Sequence, residues 1–273
     1  MSVENHHRIG PVRPVLQLAA RIYARCPFPR GPAIIVLAYH RIADERRDLA
    51  VSPERFAEQM AWLARQRSTL PVLSLEEAFN ALSNGSAAHR SVVLTFDDAW
   101  ADNHEQALPA LVEHAIPATL YVPSRLLGRP GHLSLSQLKA MVEGGVVVGA
   151  HSRTHPDLRT CSRAELEAEV RGSREDLEDI LGRPVESFSY PAGLHDDRVI
   201  DAVASAGYRS AVTASRGWLR KSSDRLRIPR SFVERVPLAT FAATARGGLN
   251  VLAPADALRS AASRYPASAA LPP

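Results

Sequence analysis

The sequence predicts an α/β fold, a parallel sheet with crossover helices closed into a single-domain barrel. Three observations lead there. Seven short apolar runs alternate with amphipathic stretches that begin on helix-capping residues. The runs are apolar at nearly every position, as in strands buried on both faces. Several end abruptly on polar or titratable residues, where parallel sheets present their chemistry. The chain of 273 residues suffices for one large domain, and so many β/α units in it favour closure over an open sheet.

Residues 1–31 read as an appendage. Val15, Leu16, Ala19, Ile22 and Tyr23 recur at helical spacing with Arg13, Arg21 and Arg25 among them, a short amphipathic helix that docks on the protein or touches a membrane surface. Pro27, Pro29 and Pro32 end it. The first strand is Ala33-Ile34-Ile35-Val36-Leu37-Ala38-Tyr39, stopping at His40. Residues 52–65 form a helix with Ser52 as cap and Pro53 in its first turn. Residues 74–82 repeat the pattern, with a Ser74/Glu77 capping box and an Asn84-Gly85 stop. Val92-Val93-Leu94-Thr95-Phe96 is the second strand, and it halts at Asp97-Asp98. A helix over 103–115, a strand over 117–122, a helix over 134–142 and a strand over 146–150 running into His151 follow. The helix over 162–181 carries a Ser162/Glu165 capping box and a Gly182 stop. A short strand over 187–190, a helix over 196–206, and strands over 208–213 and 226–228 complete the barrel, 32–246. The tail, 247–273, is rich in Ala and Pro.

Bulk properties exclude several classes. With 33 Lys and Arg against 29 Asp and Glu the net charge is +4, and no basic cluster interleaves with aromatics, so a nucleic-acid partner is not indicated. Cys26 and Cys161 stand alone in no CxxC pattern, which makes no disulfide framework, though one long-range pair stays open. No apolar run is long enough to span a membrane. The first ten residues lack the basic start and apolar core of a secretory signal, so the expected location is the cytoplasm, peripheral to the inner membrane face if the N-terminal helix docks there.

If the strands are parallel, His40, Asp97, Asp98 and His151 converge on one rim. His155 follows His151 by four residues across a tight turn. A single loop histidine is ordinarily a surface residue, and two adjacent carboxylates ordinarily make an acidic turn. Together, from three strand ends, they describe something else. Adjacent carboxylates beside a core strand need compensation, most simply a cation. One carboxylate and two imidazoles form a three-ligand face with positions left open, a pattern of hydrolytic zinc and non-haem iron sites.

These residues carry a resemblance. Thr95-Phe96-Asp97-Asp98, His151-Ser152-Arg153-Thr154-His155-Pro156 and Phe188-Ser189-Tyr190-Pro191-Ala192-Gly193 resemble the motifs of the polysaccharide deacetylases of carbohydrate esterase family 4, the NodB-homology group, over about Ile34 to Val233. The family's fold is a distorted (β/α)7 barrel, in agreement with the seven strands counted above. The resemblance implies that Asp98, His151 and His155 hold a divalent metal, most often Zn2+, and that Asp97 is the general base. No histidine occurs beyond His195, where most members place the catalytic acid. Val36-Leu37-Ala38-Tyr39-His40 fits that apolar-x-apolar-x-His pattern at the front of the chain, as in the circularly permuted poly-N-acetylglucosamine deacetylases, and makes His40 the implied acid. The third motif departs from the family. Ser189 stands where many members have the arginine that orients the base, with Arg230 the candidate replacement. Ala192 stands where many have an aromatic, and its backbone N–H remains as the implied oxyanion donor. Trp100 and Trp218 are candidates for the missing sugar-stacking surface.

The expected activity is hydrolysis of a non-peptide carbon–nitrogen bond, removing N-acetyl groups from an N-acetylated sugar or polysaccharide and releasing acetate. A second reading keeps the site and changes the substrate to an O-acetyl ester or a lipid-linked sugar, nucleotide-linked sugar or small amide. A third is a non-catalytic carbohydrate-binding protein, which would have no need of a base and an acid.

Overall fold

The structure, a computed structural model, describes residues 31–45 and 49–248. β1 (Ala33–Tyr39) leads into two short strands, β2 (Arg41–Ile42) and β3 (Ala50–Val51), which pair in a small separate sheet. α1 (Pro53–Arg65) and α2 (Leu75–Asn84) follow, starting on Ser52 and Ser74 caps that accept backbone N–H bonds. The remaining elements are β4 (Arg90–Phe96), α3 (Leu108–Glu113), β5 (Ala118–Val122), α4 (Leu135–Glu143), β6 (Val147–Ala150), α5 (Arg163–Leu181), β7 (Ser187–Ser189), α6 (Asp197–Ser205), β8 (Ser210–Val212), β9 (Ser231–Phe232) and α7 (Leu238–Ala245).

The main sheet has the order β8-β7-β6-β5-β4-β1-β9 with every pair parallel. It is one curled seven-stranded sheet in a single domain, the architecture expected of the sequence. Its edges are linked through one stretch of chain. Ile228 makes a parallel bridge to Val212 of β8, and Ser231 and Phe232 then pair with Leu37 and Ala38 of β1. The seventh strand therefore lies at Ser231–Phe232 and not over 226–228. Pro229 explains the displacement: it has no N–H for a ladder bond. The chain changes partner there, the Arg230 N–H bonding the Ser215 carbonyl.

The helix expected over 103–115 is also divided. Residues Asn103–Ala107 form a wide π turn in which the Leu108 N–H reaches the Asn103 carbonyl, and α3 begins only at Leu108. Pro109 cannot make the usual bond four residues back, and the wider turn absorbs the defect. α7 had no counterpart among the expected elements. Its Ala/Thr sequence offers few large apolar residues, and it is held by Phe241, whose ring meets Trp62 edge-on at 5.8 Å.

β1 and β4 are buried on both faces, so their side chains sort by the two-residue period of a strand. Ile35, Leu37, Tyr39, Val92, Leu94 and Phe96 pack towards the helices. Ile34, Val36 and Val93 belong instead to a second cluster with Tyr121, Val212 and Ile228, into which α2 also packs. Continuing that alternation, His40 and Asp97 extend the inner columns. The N-terminal appendage, with its expected helix, membrane contact and Cys26, and the C-terminal tail lie outside the described residues, Gly31, Gly247 and Gly248 excepted. Among the described residues no helix is long and apolar enough to cross a membrane.

Candidate active site

The C-terminal ends of β1, β4 and β6 bring His40, Asp97, Asp98 and His151 to one rim, as the parallel sheet requires. β4 ends with a sharp departure from extended backbone: Asp98 has φ 72° and Ala99 φ 54°. Left-handed backbone at two successive non-glycine residues is strained, and it parts the two adjacent carboxylates.

Asp97 is 2% exposed and Arg230 1%. The Arg230 guanidinium grips Asp97 through both oxygens, Nη1 to Oδ1 at 2.8 Å and Nη2 to Oδ2 at 2.7 Å. Its other donors reach the Thr213 carbonyl at 3.0 Å, Thr95 Oγ1 at 3.2 Å and Ser189 Oγ at 3.1 Å. All five guanidinium N–H groups are thereby placed, which a buried ion pair needs to offset its desolvation. Burial alone would raise the Asp97 pKa. The facing Arg230, with His151 and His40, outweighs it, and the carboxyl stays below its ordinary range. Ser189 leaves room for this arrangement, its small side chain accepting from Arg230 and donating to Asp97 Oδ2 at 3.4 Å.

Asp98 faces the histidines. Its Oδ1 is 3.5 Å from His151 Nε2 and 3.6 Å from His155 Nε2, and the three donor atoms all lie within 4.8 Å of one another. Two ligands held tetrahedrally at about 2.1 Å from a zinc ion stand roughly 3.4 Å apart, so the two separations between Asp98 and the imidazoles fit a shared cation. His151 Nδ1 lies 2.7 Å from the Ser189 carbonyl, which makes it a protonated nitrogen and turns Nε2 towards Asp98 as the ring atom that would ligate a metal. His155 reaches the cluster through a loop with left-handed Ser152 and His155, φ 60° and 63°, whose turn is tied by the His155 N–H to Ser152 Oγ at 2.9 Å. The residue types, spacing and donor orientation all suit a divalent metal.

His40 stands across from Asp97, its Nε2 4.0 Å from Asp97 Oδ2. Its ring packs near Phe232 at 5.6 Å, and Nδ1 is buried with no hydrogen-bond partner among the described residues. Burial lowers its pKa despite the nearby carboxylates. Ala192 lies at φ 53° in the tight turn Pro191–Gly193 directly after β7.

Trp218 is not at this rim. The next residue, Leu219, exchanges backbone bonds with Ile34 at 3.0 and 2.9 Å, near the start of β1 and roughly 20 Å along the strand from His40 at ~3.3 Å per residue. Trp100 is at the rim, but engaged by the protein itself. Its Nε1–H donates to Asp98 Oδ2 at 3.2 Å, while the ring meets His132 at 4.5 Å and the Arg41 guanidinium at 4.7 Å.

The structure adds residues that the motifs do not name. Glu169 on α5 accepts the N–H groups of Arg153 and Thr154 at 2.8 and 2.9 Å and the Thr154 hydroxyl at 2.7 Å. Asp176 on the same helix pairs with Arg153 through Nε and Nη2 at 2.9 and 2.8 Å and accepts from Ser124 Oγ at 2.8 Å. Both brace the loop carrying the two histidines. They lie far along the chain from that loop, and no local spacing announces them. The Ser189 carbonyl that orients His151 is main chain, equally silent in sequence.

Comparison with known proteins gives the family and the fold. Residues 84–211 match the family model described as polysaccharide deacetylase. A polysaccharide deacetylase structure from Bacillus cereus superposes with a TM-score of 0.69 at 30% identity, covering 78% of this chain and 69% of that one. The poly-beta-1,6-N-acetyl-D-glucosamine N-deacetylase of Staphylococcus epidermidis is 25% identical over 238 residues, 76% of this chain and 81% of that protein. YxkH of Bacillus subtilis, a protein carrying a polysaccharide deacetylase name, is 26% identical over 183 residues, and the chain covers 64% of its length, less than two thirds.

Proposed function

This chain belongs to the polysaccharide deacetylase family, a family of hydrolases, and on that premise we propose that it removes N-acetyl groups from an N-acetylated sugar polymer with a divalent metal, most simply Zn2+, held by Asp98, His151 and His155. The observation that carries this reading is the pairing of two carboxylates with different surroundings: Asp98 against two imidazole Nε2 atoms at 3.5 and 3.6 Å, and Asp97 locked to Arg230. When bound, the metal would lower the pKa of water and polarise an acyl oxygen.

Asp97, kept ionised by Arg230, takes the proton from the attacking water. The Ala192 N–H, in the turn after β7, donates to the oxygen on which negative charge develops. Such a donor is typically worth about 3–4 kcal/mol. His40 protonates the departing nitrogen, because an amide nitrogen leaves poorly as an anion. Its position across from Asp97, 4.0 Å away, suits an acid opposite a base. Acetate and a free amino sugar result. Arg230 acts through Asp97, holding its charge and orientation.

The match to the Staphylococcus epidermidis enzyme, which extends over most of that protein, favours β-1,6-linked N-acetylglucosamine as the substrate. The test is acetate release from such oligomers by the full-length chain, before and after chelation. Metal-dependent release supports the proposal. No release from any acetylated sugar, with metal bound, would leave a carbohydrate-binding protein instead.

A further inference from the structure

The Trp100 indole links a metal-ligand carboxylate to two neighbouring loops, and we propose that Trp100 is a positioning residue of this centre, setting which oxygen of Asp98 faces the ion. The inference rests on the metal reading given above.

A carboxylate carried on a left-handed turn is free to rotate about its last bond and exchange its two oxygens. Here they are told apart. Oδ1 faces His151 and His155 at 3.5 and 3.6 Å, and Oδ2 receives the Trp100 Nε1–H at 3.2 Å. With Oδ2 engaged by a donor, Oδ1 is the oxygen presented to the cation. Hydrogen bonds of this kind to a ligand carboxylate commonly govern metal affinity.

The indole is itself fixed. Trp100 forms an antiparallel bridge with His132. On either side of that bridge the Ala101 N–H bonds the Gly131 carbonyl and the Leu133 N–H bonds the Ala99 carbonyl, both at 2.9 Å. The His132 ring stacks on the indole at 4.5 Å and the Arg41 guanidinium sits 4.7 Å from its centre. Arg41 is anchored by Asp102 at 2.8 Å, and the same carboxylate accepts the Ile42 N–H at 3.0 Å. Arg41 directly follows His40, so the contact also ties the loop of the proposed acid to the ligand carboxylate. A ring already met by an imidazole and a guanidinium has less face to offer a sugar. Its N–H is directed at Asp98.

The test compares the full-length wild type with Trp100→Phe, which keeps an aromatic ring and removes the donor, and Trp100→Gln, which removes the ring and keeps a donor. Each protein is stripped by chelation and titrated with Zn2+, and the unfolding midpoint of the stripped protein and the KM at saturating Zn2+ are measured alongside. The expected result is a loss of Zn2+ affinity of about 10- to 100-fold in Trp100→Phe at an unchanged midpoint and KM, with part of the affinity recovered in Trp100→Gln. Wild-type affinity in Trp100→Phe overturns the proposal. So does a rise in KM in Trp100→Gln with Zn2+ affinity intact in both variants, which identifies a sugar platform. A wild type that binds no Zn2+ overturns the underlying metal reading, and is distinguished by failing before any variant is compared.

Discussion

Asp97 and Asp98 are neighbours in the chain and opposites in surroundings. Asp97 continues the inner column of β4 and is met by five-donor Arg230. Asp98, turned aside at φ 72°, meets imidazoles. Arg230→Met should therefore act on the base and leave the metal ligands in place. It leaves a buried carboxylate unpaired, at a cost of about 3–5 kcal/mol, and it removes the main influence that keeps the Asp97 pKa low. The Asp97 pKa rises, so the acidic limb of the kcat/KM profile should move to higher pH, while Zn2+ affinity measured by titration stays near wild type. An unmoved limb would mean that Arg230 does not hold the base. At this scale the sequence was legible wherever a side chain ends a strand column: His40 continues Ile34 and Val36, and Asp97 continues Val93. Arg230 was readable only as a candidate, because its partner lies 133 residues away. The destination of the Trp100 N–H depends on a left-handed turn that no residue type at Asp98 or Ala99 declares.

α5 does more than cover the sheet. Glu169 and Asp176, two turns apart on it, grip the backbone and side chain of Arg153, midway between His151 and His155. Gly172 lies between them because a Cβ there would fall 2.2 Å from the Arg153 guanidinium carbon. Glu169→Ala would strip the acceptor from two backbone N–H groups, costing about 1–3 kcal/mol. Zn2+ affinity should fall by about 10-fold as the His155 loop loosens. Isothermal titration beside a helical circular-dichroism spectrum checks this, and unchanged affinity would make the clamp a matter of stability only. The helices themselves were plain in the sequence where caps are explicit: Ser52, Ser74, Ser134 and Ser162 all accept the bonds expected of them. What was not legible turned on proline. Pro229 moved the seventh strand to Ser231–Phe232, and Pro109 divided a helix whose apolar pattern runs through unbroken.

At the scale of the molecule, one curled parallel sheet gathers residues from His40 to Arg230 at a single rim, and its charge pairs set an acid limit on stability. Burial acts to raise the Asp176 and Glu178 pKa values, but Arg153 and Ser124 hold Asp176 below its ordinary range, and the Val185 N–H with Arg174 does so for Glu178. Groups depressed in the folded state bind protons more readily when unfolded, so they stabilise the fold above their unfolded pKa values of about 4 and lose that contribution as pH falls through the folded ones. Denaturant midpoints should be level above about pH 5 and decline below about pH 4, less steeply in Asp176→Asn. An equal slope in that variant would place the acid sensitivity elsewhere. The alternation of strands and helices made this architecture legible from sequence, because a strand buried on both faces leaves a continuous apolar run that few other structures produce. The separate tasks of the two adjacent aspartates are measured by metal content, from mass spectrometry, together with acetate release, in wild type, Asp97→Asn and Asp98→Ala. The expected result is metal retained and turnover lost in Asp97→Asn, and both lost in Asp98→Ala. Metal retained in Asp98→Ala, or full turnover in either variant, would contradict it.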